Sequence, residues 1–257
     1  IFPGMALYED GLEDLVSDLV RDAGRALYLV PQERVAECVR AMLGRRLADH
    51  ALFSAREIEQ SKEPFISSER SVAVIANRYD GIDFPKDECR LLIIAGQPTA
   101  TNLQERFIMQ KMAAMLLFHD RIRTRIVQAF GRCTRSATDY AAVVILGDEM
   151  LTYLLKREGK ASLHPELQAE LSFGQEQSEG RAKDDLLFMF QLFLKQGDEW
   201  KGANDSIVSL RDDMKQESPE ALAPLSHAAP HEVDYVYAMW RADYAAALGS
   251  CRQVLEQ

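Results

Sequence analysis

The chain has 257 residues, 47% of them hydrophobic and 27% charged, with a formal net charge of -10 and a pI near 5.1. That length suits one large domain or a domain with an appendage, and the balance is that of an ordinary soluble globular protein. Net acidity argues against a protein that coats nucleic acid over its whole surface, although a local basic groove depends on where charges lie and not on their sum. No apolar run approaches the ~20 residues that would span a membrane, so no membrane partner and a cytoplasmic location are expected. The first residue is Ile1, with no basic-then-apolar leader, and the sequence reads as part of a longer protein. Cys38, Cys89, Cys133 and Cys251 include no C-x-x-C pair, so reduced thiols and no metal site are expected.

In chain order, residues 10–23 carry apolar side chains at helical spacing. Arg25 to Val30 is a short apolar run ended by Pro31 and reads as a buried strand. Residues 32–46 are helical, Ala51 to Phe53 suits a second strand, and Glu57 to Glu63 suits a short polar helix stopped by Pro64. Ser71 to Ala76 is a β-branched strand that leads straight into a turn-rich segment, Asn77 to Pro85. Arg90 to Gly96 is a fourth strand, 102–119 a long helix rich in Met and Leu, 120–130 its helical continuation, and Ala141 to Leu146 a fifth strand.

Strands that alternate with helices, written as apolar runs, indicate an α/β fold: a parallel sheet with helices on both faces. In such sheets the working loops lie at the carboxyl ends of the strands. Beyond residue 149 only helices are expected, near 165–172, 183–196, 205–216 and 231–256, broken by Gly180, Gly197, Gly202, Pro219, Pro224 and Pro230. The last of these has Val233, Val236, Tyr237, Trp240, Tyr244 and Leu248 in or near one stripe, read as a packing face. The expected division is 1–160 for the α/β domain and 161–257 for a helical extension.

The chemistry concentrates in Gln128-Ala129-Phe130-Gly131-Arg132-Cys133-Thr134-Arg135. It ends a stretch from Arg121 to Arg135 that holds five arginines and no acid. Arg132 and Arg135, three apart, would point the same way on one helical turn. Paired guanidiniums suit phosphate oxygens, because each offers a planar fork of donors that keeps its charge.

Two segments resemble motifs of superfamily 2 helicases. Asp80-Gly81-Ile82-Asp83-Phe84-Pro85, directly after a buried strand, resembles motif V, and the Gln128–Arg135 segment resembles motif VI, Q-x-x-G-R-x-x-R. Arg25 to Pro31 fits the strand of motif IV, and the Cys89–Pro98 run with Thr138-Asp139-Tyr140 suits the XPD/DinG-type branch. The resemblance covers roughly residues 10 to 155 in order and spacing. It implies the second RecA-like motor domain of an ATP-dependent helicase or translocase. In that role Arg132 and Arg135 are arginine-finger candidates, and Gln128 positions a water or touches the γ-phosphate. Gly131 and Gly81 allow close backbone approach. Asp83 reaches the ribose or bridges to the motif VI arginines, and a turn or N-cap carboxylate is the plain alternative for it.

Nucleic-acid candidates are Pro31, Gln32, Asn77 and Arg78, with Arg121, Arg123 and Arg125 as further ones, each of which has an ordinary capping or ion-pair reading as well. No G-x-x-x-x-G-K-[ST] phosphate loop and no D-E-A-H-like box occurs in the sequence. ATP and Mg²⁺ are therefore expected to be held mainly by an N-terminal RecA-like domain of the same protein, with this chain inactive alone. The expected partner is single-stranded or duplex DNA, with RNA not distinguished by these residues, and a protein partner is possible through the C-terminal helices. The competing reading is a degenerate helicase lobe kept as a protein-interaction scaffold.

Overall fold

The computed structural model describes residues 10–78, 81–98, 103, 104, 107, 115–134, 138–220 and 222–256. Asp80, Arg135 and most of the helix expected over 102–119 lie outside them. In chain order the helices of the first half are α1 (Asp10–Ala23), α2 (Glu33–Arg46), α3 (Ala55–Gln60), α4 (Glu63–Ser67) and α5 (Met115–Phe130). Those that follow are α6 (Asp148–Leu155), α7 (Arg157–Ala161), α8 (Pro165–Ser178), α9 (Lys183–Lys195), α10 (Asp198–Asp212), α11 (Leu222–Trp240) and α12 (Tyr244–Leu255).

The strands are β1 (Arg25–Val30), β2 (Ala51–Ser54), β3 (Ser71–Ala76), β4 (Leu91–Ala95) and β5 (Ala142–Leu146). They form one parallel sheet in the order β2-β3-β1-β4-β5. β1 is central, with Arg25 opposite Ser71 of β3 and Ala26 opposite Leu91 of β4. This is the parallel α/β architecture that the apolar runs predict, consistent with the RecA-like fold that the resemblance implies.

Strand alternation assigns each residue to a face. Leu27, Leu29, Ile75, Leu92, Ile94 and Ile145 pack with Phe65, Ile122, Ile126 and Met150 from α4, α5 and α6. Tyr28, Val30, Val74, Ile93 and Val144 pack on the other face with Leu15, Leu19, Val39, Leu43, Leu186 and Phe190 from α1, α2 and α9. Neither face is left to water, which is why the strands read as runs and not as alternations.

Several local expectations change. The 57–63 helix is two helices: Ser54 and Glu57 close a capping box on α3, and Pro64 sits in the first turn of α4. A proline there lacks only an amide that the helix would not use, so it begins a helix and does not stop one. Gly202 lies inside α10, and Pro224 and Pro230 lie inside α11. The 231–256 helix is two helices, separated where Ala242 takes φ 57° and Asp243 caps α12 by accepting from Ala246 N at 3.0 Å.

By its contacts the chain divides into two compact units, Ile1–Lys215 and Gln216–Gln257. In the first, the helices after residue 160 are built into the domain. Leu186 and Phe190 of α9 join the core, and the Phe193 ring lies 5.5 Å from that of Tyr140 and 4.7 Å from that of Trp200. Gln168 Nε2 donates to Leu163 O at 2.8 Å and Lys215 O at 3.0 Å. In the second unit, α11 and α12 pack through small residues, with Ala228, Ala238 and Ala247 buried. The stripe read as a packing face is instead exposed, with Trp240 at 85%.

Candidate functional site

Three neighbouring strands end together at the carboxyl edge of the sheet. β1 runs into Pro31 and Gln32, β3 into Asn77 and Arg78, and β4 into Gly96. Asn77 N donates to Val30 O at 2.7 Å, and Gly96 N donates to Leu146 O at 3.0 Å. Gly96 has φ 88°, and a Cβ there would lie 3.2 Å from Pro31 Cγ, so glycine lets these two strand ends meet without strain. Asn77 has φ 52°, a left-handed conformation that asparagine tolerates. Its Oδ1 is buried with no hydrogen-bond partner among the described residues. Gln32 is exposed at the N-cap position of α2, yet its side chain makes no capping bond. Arg78 is half exposed and pairs with Glu59 at the end of α3.

The segment after β3 then meets the end of α5. That helix stops at Phe130, and Gly131 N and Arg132 N fold its last turn onto Val127 O and Ala129 O at 3.2 and 3.1 Å. Arg132 therefore lies beyond the helix, and its direction is set by the turn and by what it grips. Its Nη1 donates to Ile82 O at 2.7 Å and to Asp83 Oδ1 at 3.1 Å, while Phe84 N donates to Arg132 O at 2.9 Å. Arg132 is 3% exposed and Asp83 40%. A guanidinium buried to that extent needs partners for its donors, and a carbonyl with a carboxylate supplies them. Phe84 anchors the bracket: it is fully buried, with its ring 5.0 Å from that of Phe65.

The remaining site candidates fall around this bracket. Gln128 is exposed on the last turn of α5. Gly81 has φ 103°, and a Cβ there would meet nothing within 4 Å among the described residues. A Cβ on Gly131 would make only ordinary contacts, 3.8 Å to Gln128 O and Val127 O. The fold itself thus does not require glycine at 131. Arg123 is occupied inside the domain, with Nη2 2.5 Å from Asp120 Oδ1 and Nη1 3.2 Å from Ser162 O. Cys133 follows Arg132 into the core and pairs with Cys89 at the foot of β4, and that pairing together with burial raises its thiol well above the usual cysteine range. Both remain free thiols.

Three residues of this region are not among the site candidates of the sequence: Lys62 and Glu59 lie in no motif, and Arg25 enters only as the first residue of the motif IV strand. Arg25 donates to Glu88 O at 2.8 Å and to Asp87 O; Lys62 approaches Asp83 O and Glu88 Oε2; and Glu59 holds Arg78. Among the described residues no three His, Cys, Asp or Glu side chains lie together as a metal site, and no helix is long and apolar enough to cross a membrane.

The geometry agrees with the comparisons to known proteins. Curated proteins give no match. The model of the helicase C-terminal domain matches residues 19–166, more than half of the chain, and spans both sides of the Asp83–Arg132 bracket. The chain belongs to the helicase C-terminal domain family, of the XPD/DinG type.

Proposed function

We propose that this chain is the second motor lobe of an ATP-dependent DNA helicase or translocase. The observation that carries the reading is the bracket in which Arg132 holds Ile82 O and Asp83, because it joins motif V to motif VI. The described residues fit a nucleotide: a fixed carboxylate and a fixed cation lie side by side, and open space lies beside Gly81. Bound between two lobes, ATP with Mg²⁺ supplies the phosphoryl transfer whose energy opens and closes the cleft. Both are held mainly by a first RecA-like lobe.

This chain's own residues take five roles. Arg132 and Arg135 place positive charge where the phosphate oxygens become more negative. Gln128 orients the attacking water from the end of α5. Gly81 and Gly131 leave room for backbone approach, and Asp83 faces the ribose side while it steadies Arg132. Gln32, Asn77 and Arg78 at the carboxyl edge contact the phosphate backbone of single-stranded or duplex DNA. For Arg78 this means that a phosphate displaces Glu59.

The test is ATP turnover by the intact protein with and without single-stranded DNA. Wild type is expected to be stimulated, and Arg132→Ala and Arg135→Ala are each expected to lower kcat by about 10²–10³-fold. Undiminished turnover in both variants contradicts the finger assignment. A second reading, a degenerate lobe that acts as a protein-interaction scaffold, is supported by the exposed Val236, Tyr237, Trp240, Tyr244 and Leu248 of α11 and α12. A wild-type protein indifferent to DNA, in turnover and in binding, favours that reading.

A further inference from the structure

The segment from Ile82 to Glu88 turns its carbonyls toward cations from three separate elements. Arg132 takes Ile82 O, Arg25 at the start of β1 takes Asp87 O and Glu88 O, and Lys62 takes Asp83 O. Lys62 sits at the junction of α3 and α4, with Nζ 3.3 Å from Asp83 O and 2.7 Å from Glu88 Oε2. Asp83 is therefore held twice, by its backbone at Lys62 and by its carboxylate at Arg132. An ammonium with three rotatable donors can serve a carbonyl and a carboxylate at once.

The platform behind Lys62 is firm. α3 starts on the Ser54–Glu57 capping box, Phe65 of α4 is fully buried against Phe84, and Ser71 Oγ donates to Phe65 O at 2.9 Å.

We propose that Lys62 is a positioning residue for Asp83: from the α3–α4 junction it fixes the Asp83 backbone, and thereby the carboxylate that meets Arg132, and so sets turnover at the composite ATP site without touching the nucleotide. The inference rests on the nucleotide-site reading above. Lys62 is 40% exposed and Glu88 21%, and an ion pair so open to water contributes little to folding stability. Its loss therefore appears as misplacement of Asp83 and not as unfolding, which separates positioning from plain support.

Two measurements decide the matter. The first is hydrogen exchange at the Phe84 amide, which reports the bracket directly because that amide donates to Arg132 O. Lys62→Met is expected to speed its exchange by about fivefold or more, with β1 amides unchanged, and Lys62→Arg to stay near wild type. The second is DNA-stimulated ATP hydrolysis by the intact protein. Lys62→Met is expected to lower kcat by about three- to tenfold with the KM for ATP within about twofold, and Lys62→Arg to recover most of the loss. Unchanged Phe84 exchange overturns the inference, and so does faster exchange with unchanged kcat. Equal loss of kcat and thermal stability in both variants also overturns it, in favour of structural support. A wild-type protein with no stimulated turnover overturns the nucleotide-site reading and this inference with it. Stimulated wild-type turnover that Lys62→Met leaves intact overturns this inference alone.

Discussion

Arg132 concentrates the argument at the residue scale. Its charge is buried, and its Nη1 donates to both Ile82 O and Asp83 Oδ1. A lysine has one nitrogen where arginine has three, and Nη1 alone already serves Ile82 O and Asp83, so Arg132→Lys is expected to have nothing left for a phosphate and to behave nearly as Arg132→Ala in turnover. Either change removes the guanidinium donor from Ile82 O. A loss of about 1–3 kcal/mol in unfolding free energy is therefore expected, measured by urea titration. Gly96 is the second residue whose identity is fixed by contact. Gly96→Ala would put a methyl group 3.2 Å from the Pro31 ring at a positive φ, and a destabilisation of about 1–3 kcal/mol is expected in the same assay. Gln128, Arg132 and Asp83 could be singled out in the sequence because their types and spacing resemble motifs V and VI. The meeting of Asp83 and Arg132 across 49 positions was one of the roles the resemblance implied for Asp83, whereas the grip of Arg132 on Ile82 O left no mark in the sequence. Lys62 had no signal at all, being an ordinary lysine whose partner is a backbone carbonyl 21 positions on.

At the scale of elements, the five strands could be read because a parallel sheet covered on both faces demands unbroken apolar runs, and Arg25–Val30 and Ser71–Ala76 have them. The helix ends were harder. Proline marks a break only when its missing amide is needed, and Pro64 occupies a first turn where it is not. The helical-turn argument for aligning Arg132 with Arg135 does not describe Arg132, because α5 closes at Phe130 and a turn takes over. Hydrogen bonds hold that turn against the motif V segment, and an aromatic ladder holds the motif V segment onto α4 and β2. The Phe84 ring is 5.0 Å from Phe65, and the Phe65 ring is 5.9 Å from Phe53. Phe84→Ala is expected to cost about 3–5 kcal/mol and to loosen Arg132 together with the core, whereas Phe84→Leu should keep most of both. Thermal unfolding alongside ATP turnover would separate the two effects.

For the whole molecule, the helices that follow the sheet are of two kinds. Those up to α10 belong to the first compact unit through Leu186, Phe190, Gln168 and the Tyr140–Phe193–Trp200 rings. α11 and α12 make a unit of their own after a connection, residues 214–219, that has no regular structure and is exposed from residue 215 on. Brief trypsin treatment is expected to cut first after Lys215 and to leave the larger unit folded, as mass spectrometry and circular dichroism would show. The sequence did not reveal this division, because amphipathic stripes in α9 and in α12 look alike until one is buried against a sheet and the other is not. The central claim concerns the larger unit: Asp83 and Arg132 act as one device in a composite ATP site. The most direct measurement is a double-mutant cycle on DNA-stimulated kcat of the intact protein, with Asp83→Ala, Arg132→Ala and the pair. The account predicts strong non-additivity, with the double variant no slower than the worse single one. Losses that simply multiply would contradict it.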